Sequence, residues 1–212
     1  WMFGGDGSAA SSSGLLQDLW KYSPANNTWM WVSGSNAAGQ WGTYAFTPSL
    51  SNVPGSRHSA VTWVDNAGNL WLFGGYGLTT NLTLGYLSDL WKFDVTTSMW
   101  SWISGNSVPN SLGTYGTKGT ASTFNKPSGR QGSVSWIDNT GNLWLFGGFG
   151  KSSITTNGNL NDLWKFDMVS SQWTWMTGSN SPGAVNTSSI QGSPSATYTP
   201  GSRMNAVSWK DG

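Results

Sequence analysis

The chain has 212 residues, a net charge of +1 and only 9% charged residues. With no polybasic stripe it offers no surface for nucleic acid or an anionic membrane, and with no apolar run of about 18 residues no helix of it inserts in a bilayer. It contains no cysteine and one histidine, His58, which excludes disulfides, thiolate metal sites and thiol nucleophiles.

The opening residues, Trp1 to Gly5, read WMFGG, the end of an apolar strand. A DLWKY stretch follows at Asp18, and a WxW pair closes the unit at Trp29 and Trp31. A long polar link then carries Trp41 and a GTY tripeptide with Tyr44. From Pro54 the text recurs in full. A PGSR start at Arg57 leads to a short strand ending in Trp63, then LWLFGG at Leu70 to Gly75, DLWKFD from Asp89, and Trp100 with Trp102. From Pro127 it recurs again through Arg130, Trp136, LWLFGG at Leu143 to Gly148, DLWKFD at Asp162, and Trp173 with Trp175. Pro200 to Gly212, with Arg203 and Trp209, starts the next copy. Arg57, Arg130 and Arg203 are spaced by 73 residues, while Trp29 and Trp100 are 71 apart. A firm period of this kind marks a repeat architecture, divided here at 1–53, 54–126, 127–199 and 200–212.

Each full unit predicts four strands and no helix: in the second copy His58 to Val64, Leu70 to Gly75, Asp89 to Asp94 and Trp100 to Ser104. These are short runs rich in Trp, Val, Leu and Phe between Gly, Asn, Asp and Pro. Leu70 to Phe73 is apolar without alternation, which predicts a strand covered on both faces. Because antiparallel strands alternate direction, the links Tyr76 to Ser88 and Gly105 to Lys126 emerge at one end of the sheets. The tight connections Asp65 to Asn69 and Val95 to Met99 emerge at the other. Recognition is expected at the loop-rich end.

The apolar run into Gly74 and Gly75, the DLWKFD stretch and the later Trp100 resemble the kelch motif across the whole chain outside the long links. The resemblance implies an all-β, kelch-like β-propeller of four-stranded antiparallel blades, about three of them in this sequence. Units of 71 to 73 residues exceed the roughly 50 of a kelch repeat, and the surplus falls in the two long links. Since propellers take about four to eight blades, the ring is expected to be completed by further sequence on the same polypeptide or by another copy. Trp1 lies in the middle of a strand, which suggests a section of a longer protein.

Chemistry is sparse. Asp18, Asp89 and Asp162 share one repeat position, Asp65, Asp138 and Asp211 a second, and Asp94 and Asp167 a third, whereas a catalytic pair needs two carboxylates in differing environments. Asp6 alone is unique, and it reads as a solvated loop residue. Arg57, Arg130 and Arg203 are expected to bond aspartates or carbonyls, with Asp89 and Asp162 as partners; the alternative is an arginine ring around an axial anion. Some kelch-like propellers, resembling galactose oxidase, are copper enzymes that use histidines and a cysteine-modified tyrosine, a site this sequence lacks. Neither a cofactor nor a metal is expected.

Fifteen of the 16 tryptophans occupy five positions present three times each, as core residues do. The exception, Trp41, joins Tyr44, Tyr76, Tyr115 and Phe149 as candidates for an aromatic contact surface, with the competing reading that the GTY tyrosines fold the link back onto the sheets. The expected function is a non-enzymatic extracellular module that binds protein or glycan through its loop-rich face. Two other classes stay open: a structural block that assembles through its terminal half-blades, and a part of a larger enzyme whose active site lies elsewhere. Low charge with abundant Ser, Thr, Asn and Gly suggests secretion or surface display. Asn26, Asn81 and Asn186 are sequons for glycosylation in that setting.

Overall fold

A computed structural model describes residues 1–80, 82–153, 156–188 and 190–209, and the described residues form strands and turns with no helix. The sequon at Asn81 and the repeat aspartate Asp211 lie outside the described residues. In the first unit β1 (Met2–Ser8), β2 (Ser13–Ser23) and β3 (Thr28–Ser33) make a three-stranded antiparallel sheet. The second unit contributes β4 (Arg57–His58), β5 (Val61–Val64), β6 (Leu70–Phe73), β7 (Tyr76–Gly77), β8 (Gly85–Tyr86), β9 (Leu90–Asp94) and β10 (Met99–Ser104). Its main sheet runs β5-β6-β9-β10, and a small sheet β4-β7-β8 extends it past Gly74 and Gly75. In the third unit, β11 (Ala121–Ser122), β12 (Arg130–Gln131), β13 (Val134–Ile137), β14 (Leu143–Gly150), β15 (Gly158–Asp167) and β16 (Gln172–Thr177) form one sheet.

The strands begin and end where local chemistry demands. Asp65 and Asp138 organise the first tight turn: Asp65 Oδ1 accepts from the Ala67 and Asn69 amides at 3.0 and 2.9 Å, and its Oδ2 accepts from the Trp71 indole at 2.9 Å. Burial works against their charge, but these donors win and hold both carboxyls below the usual carboxylate range. Asp94 and Asp167 cap the other tight turn, each accepting two backbone amides. Repetition of these aspartates therefore reflects turn building.

The middle sheet is covered on both faces. Leu72, Trp91, Phe93 and Trp100 pack with Leu19 and Phe3 of the first sheet, while Trp71, Phe73 and Leu90 pack with Leu143, Leu145, Trp164, Phe166 and Trp173 of the third. Burying each such side chain contributes about 1.5–3 kcal/mol. The contacts repeat with the sequence: Phe3 meets Trp100 at 5.5 Å and Phe73 meets Trp173 at 5.6 Å between ring centroids, both edge-on.

Backbone bonds join the units at the glycine pair. The Gly75 amide donates to the Arg130 carbonyl and the Gly148 amide to the Arg203 carbonyl, both at 2.8 Å. Gly74 and Gly147 sit at φ +67° and +64°, where a Cβ would lie 2.8 and 2.7 Å from those same carbonyls. Only glycine fits such a junction.

Both long links depart from simple loops. The link after Gly75 continues the ladder through β7 and β8, and in the third unit β14 and β15 run through the corresponding region without a break. Asp6, expected in a loop, lies on β1 opposite Leu15 and is exposed. The longer link folds over the outer strand of the sheet it leads into. There Asn52 and Asn125 donate to the carbonyls of Trp100 and Trp173 at 2.9 and 3.0 Å, and Ala121–Ser122 pairs with β16. An outer strand with free carbonyls is an exposed template for pairing, and the link covers it.

Candidate functional site

Arg57 and Arg130 lie at the start of each first strand, and strand direction places them at the loop-rich end beside the residue that precedes or opens the third strand. The Arg57 guanidinium grips Asp89 with two bonds of 2.6 and 2.7 Å, and also donates to the carbonyls of Gly55 and Gly74. Asp89 further accepts from the Tyr44 hydroxyl at 2.5 Å and the Trp91 indole at 2.8 Å. Arg130, Asp162, Tyr115 and Trp164 repeat the arrangement. Both ion pairs are fully buried. Burial first, then the neighbouring carboxylate, pushes the Tyr44 and Tyr115 hydroxyls well above the ordinary tyrosine value, so both stay protonated as donors. These clusters are closed to solvent, so Arg57 and Arg130 are unavailable to an axial anion.

The first and fourth units hold halves of this cluster. Asp18 accepts from the Trp20 indole at 2.6 Å, as Asp89 and Asp162 do from theirs, but no guanidinium reaches it among the described residues. Arg203 is exposed, donates to the Gly201 carbonyl at 2.9 Å and meets no carboxylate among the described residues.

The aromatic candidates divide. Tyr115 is buried against Trp164 and Trp175, and Tyr44 is half-buried against Trp91 and Trp102; both turn their hydroxyls into the ion-pair clusters, as the inward-folding reading of the GTY links expects. Tyr76 and Phe149 are half-buried at the loop-rich end and belong to a row of rings. His58 lies 5.8 Å from Tyr76, Tyr76 5.3 Å from Tyr86, and Tyr86 5.7 Å from Phe149. Ladder register places His58, Tyr76 and Tyr86 directly opposite one another, and the row crosses from the second unit to the third. Partial burial, then the adjacent Tyr76, raises the Tyr86 hydroxyl above its ordinary value. Trp41 is 54% exposed, and no described ring contact joins it to the row. At the same end a cavity of about 430 Å³ opens between the first and second units, lined by Leu15, Leu78, Leu82 and Leu84 with Ser13.

Sequence reasoning missed Tyr86 because nothing repeats it: the matching residues across the ladder in the other units are Leu15 and Asn159. His58, the one histidine, carries no signal of its own in the sequence, and only the ladder brings it to the tyrosines. Of the sequons, Asn26 is exposed in a turn, and Asn186 is exposed with its side-chain carbonyl accepting from Ser188. No group of three or more metal-binding side chains gathers among the described residues.

No protein-family model matches the chain, and no curated protein matches it. Among solved structures it is similar to the "Structure of YjhT", at 18% identity and a TM-score of 0.51, over 85% of this chain and 49% of that one. The chain thus spans about half the length of that structure, and the likeness concerns the fold.

Proposed function

We propose that this chain is a section of a kelch-like propeller, and that it acts as a non-enzymatic extracellular module binding a protein or glycan at its loop-rich end. Support for the propeller comes from antiparallel sheets stacked face to face at a 73-residue interval, with first strands β5 and β13 side by side. The Trp63 indole donates to the Trp136 carbonyl at 2.9 Å, and the Ser135 hydroxyl to the Thr62 carbonyl at 3.2 Å. The extracellular location rests on the low charge and the Ser, Thr, Asn and Gly content.

The observation that carries the binding reading is the row His58, Tyr76, Tyr86 and Phe149. These rings are half-buried, so their positions are fixed before a ligand arrives, and they combine apolar faces with hydroxyl and imidazole edges. Rigid aromatic groups of this kind bind with little loss of side-chain entropy. Because the row sits on a ladder, it is more exactly aligned than one carried by free loops. Screening the chain against glycan and extracellular-protein panels, with a Tyr76→Ala/Tyr86→Ala variant beside the wild type, tests this. Binding that drops about tenfold or more in the variant supports the row as the site, whereas undiminished binding removes it.

A further inference from the structure

The links that lead from one unit to the next meet the ladder at its loop-rich end in the same way three times. The amides of Gly39, Asn110 and Gly183 donate to the carbonyls of Leu15, Tyr86 and Asn159 at 2.8, 2.7 and 2.9 Å. Those carbonyls share one ladder position, opposite Asp6, Tyr76 and Phe149. Before each stands a glycine, Gly14, Gly85 or Gly158, and what covers that glycine differs from junction to junction. At the second junction the Asn110 side chain lies over Gly85, where it would overlap any Cβ, and its Oδ1 accepts from the Tyr86 amide at 3.1 Å. At the third, the Pro182 ring stands 2.8 Å from where a Cβ on Gly158 would be. At the first, Gly39 has no side chain, and the closest approach to a Cβ on Gly14 is the Ala38 Cβ at 3.7 Å. The cavity of about 430 Å³ opens at this place.

We propose that this cavity binds the acetamido group of a neutral N-acetylhexosamine, with the carbonyl oxygen where Asn110 Oδ1 lies one unit later. The proposal rests on the glycan side of the reading above and adds a site apart from the aromatic row. Asn110 is the template: an amide already fits this position in the fold. An extended residue turns its amide and its carbonyl to the same side, so the Leu15 amide faces Gly39, which has no side chain to receive it. Leu78, Leu82 and Leu84 form the apolar wall, and Leu82 and Leu84 are 69% and 48% exposed, a surface that the acetamido methyl and one face of a pyranose would cover. Ser12 and Ser13 edge the cavity with hydroxyls for the sugar's own. No charged side chain lines it among the described residues, which matches a ligand without charge. A peptide asparagine offers the same amide, but one such side chain suffices at Gly85, whereas the volume here lies in the range of small-molecule sites, about 300–1,000 Å³. All these walls lie between Ser12 and Leu84, in two adjoining units and the link that joins them.

Amide NMR titration of the chain with N-acetylglucosamine tests the site. The Leu15 and Gly39 amides are expected to shift and to saturate in the millimolar range, while glucose at the same concentrations leaves them in place. Gly39→Asn supplies the side chain found at the next junction. The backbone φ is +71° at Gly39 and +60° at Asn110, a conformation asparagine tolerates, so the variant is expected to keep the wild-type fold by circular dichroism. By filling the cavity it should weaken N-acetylglucosamine binding at least about tenfold. Equal shifts with glucose, undiminished binding in Gly39→Asn, or no shift at any attainable sugar concentration overturns the proposal. Tighter binding of an N-acetyl-asparagine amide than of the sugar makes the occupant a peptide and overturns it too. Tyr76→Ala/Tyr86→Ala should retain the Leu15 shift. If sugar binding is lost in that variant but kept in Gly39→Asn, the sugar belongs to the aromatic row, and the cavity proposal fails while the binding reading stands.

Discussion

Asp162→Ala is the sharpest test of how the buried clusters hold the first and third strands of a sheet to the link that leads into it. The carboxylate accepts four bonds, two from Arg130 at 2.6 and 2.7 Å, one from Tyr115 at 2.6 Å and one from Trp164 at 2.8 Å. Its removal leaves a fully buried guanidinium uncompensated, which costs about 3–5 kcal/mol, and strands a hydroxyl and an indole donor at about 1–3 kcal/mol each. Water entering the vacated space recovers part of the sum, so the expected loss is about 4–6 kcal/mol. That approaches the whole stability of many domains, about 5–15 kcal/mol. Urea unfolding followed by tryptophan fluorescence measures it. Asp6→Asn, on an exposed side chain, serves as the control and should stay within about 0.5 kcal/mol of the wild type. Replacing both partners, Arg130→Met with Asp162→Leu, should cost less than Asp162→Ala alone, because no buried charge remains. A loss below about 1 kcal/mol in Asp162→Ala, or a double variant weaker than the single, would refute the account of this cluster.

Three further outcomes follow from the geometry. Tyr115→Phe removes one donor to Asp162 while keeping the ring against Trp164 and Trp175, and should destabilise by about 1 kcal/mol in the same urea assay with ligand binding unchanged. Gly147→Ala places a Cβ 2.7 Å from the Arg203 carbonyl at φ +64°; it should cost more than the roughly 1 kcal/mol of an ordinary left-handed alanine and speed amide exchange at Gly148. Asp65 and Asp138 have lowered folded values, so the stability they contribute is complete above an unfolded value near 3.9 and is lost as pH falls below it. Asp138→Asn should therefore flatten the decline in urea midpoint on acidification from about pH 5 to pH 2.5, and an unchanged slope would count against the turn's role.

Much of the strand layout was readable because the apolar runs are short, unalternating and bounded by turn residues, and a strand such as Leu70 to Phe73 has no other way to bury both faces. The Arg57 and Asp89 positions were readable as a pair because strand direction brings the starts of the first and third strands to one end. The roles of Tyr44 and Tyr115 were not resolved, since GTY looks the same in a solvent-facing loop as in one that folds inward. What decides is the buried carboxylate that needs another donor, a partner 45 or 47 residues away. Asn52 and Asn125 escaped notice for a similar reason: an asparagine in a polar link carries no sign that its amide will meet the carbonyl of an outer strand. The aromatic row stayed hidden because Tyr86 breaks the repeat and the hairpin extension that aligns it with His58 is too short to show as a pattern.

The bonds from Gly75 to Arg130 and from Gly148 to Arg203 run between backbone groups alone. These bonds ask of the neighbour only a glycine and a backbone in register, and the ring contacts between sheets recur with the repeat itself. Duplicating a unit of this kind creates a working seam in the same event that creates the copy. Side chains near the seam are then free to diverge, as His58, Gln131 and Met204 have at one shared position. The unit count can thus change in evolution without any redesign of the joints, while the ends of the sheets acquire the differences on which recognition depends.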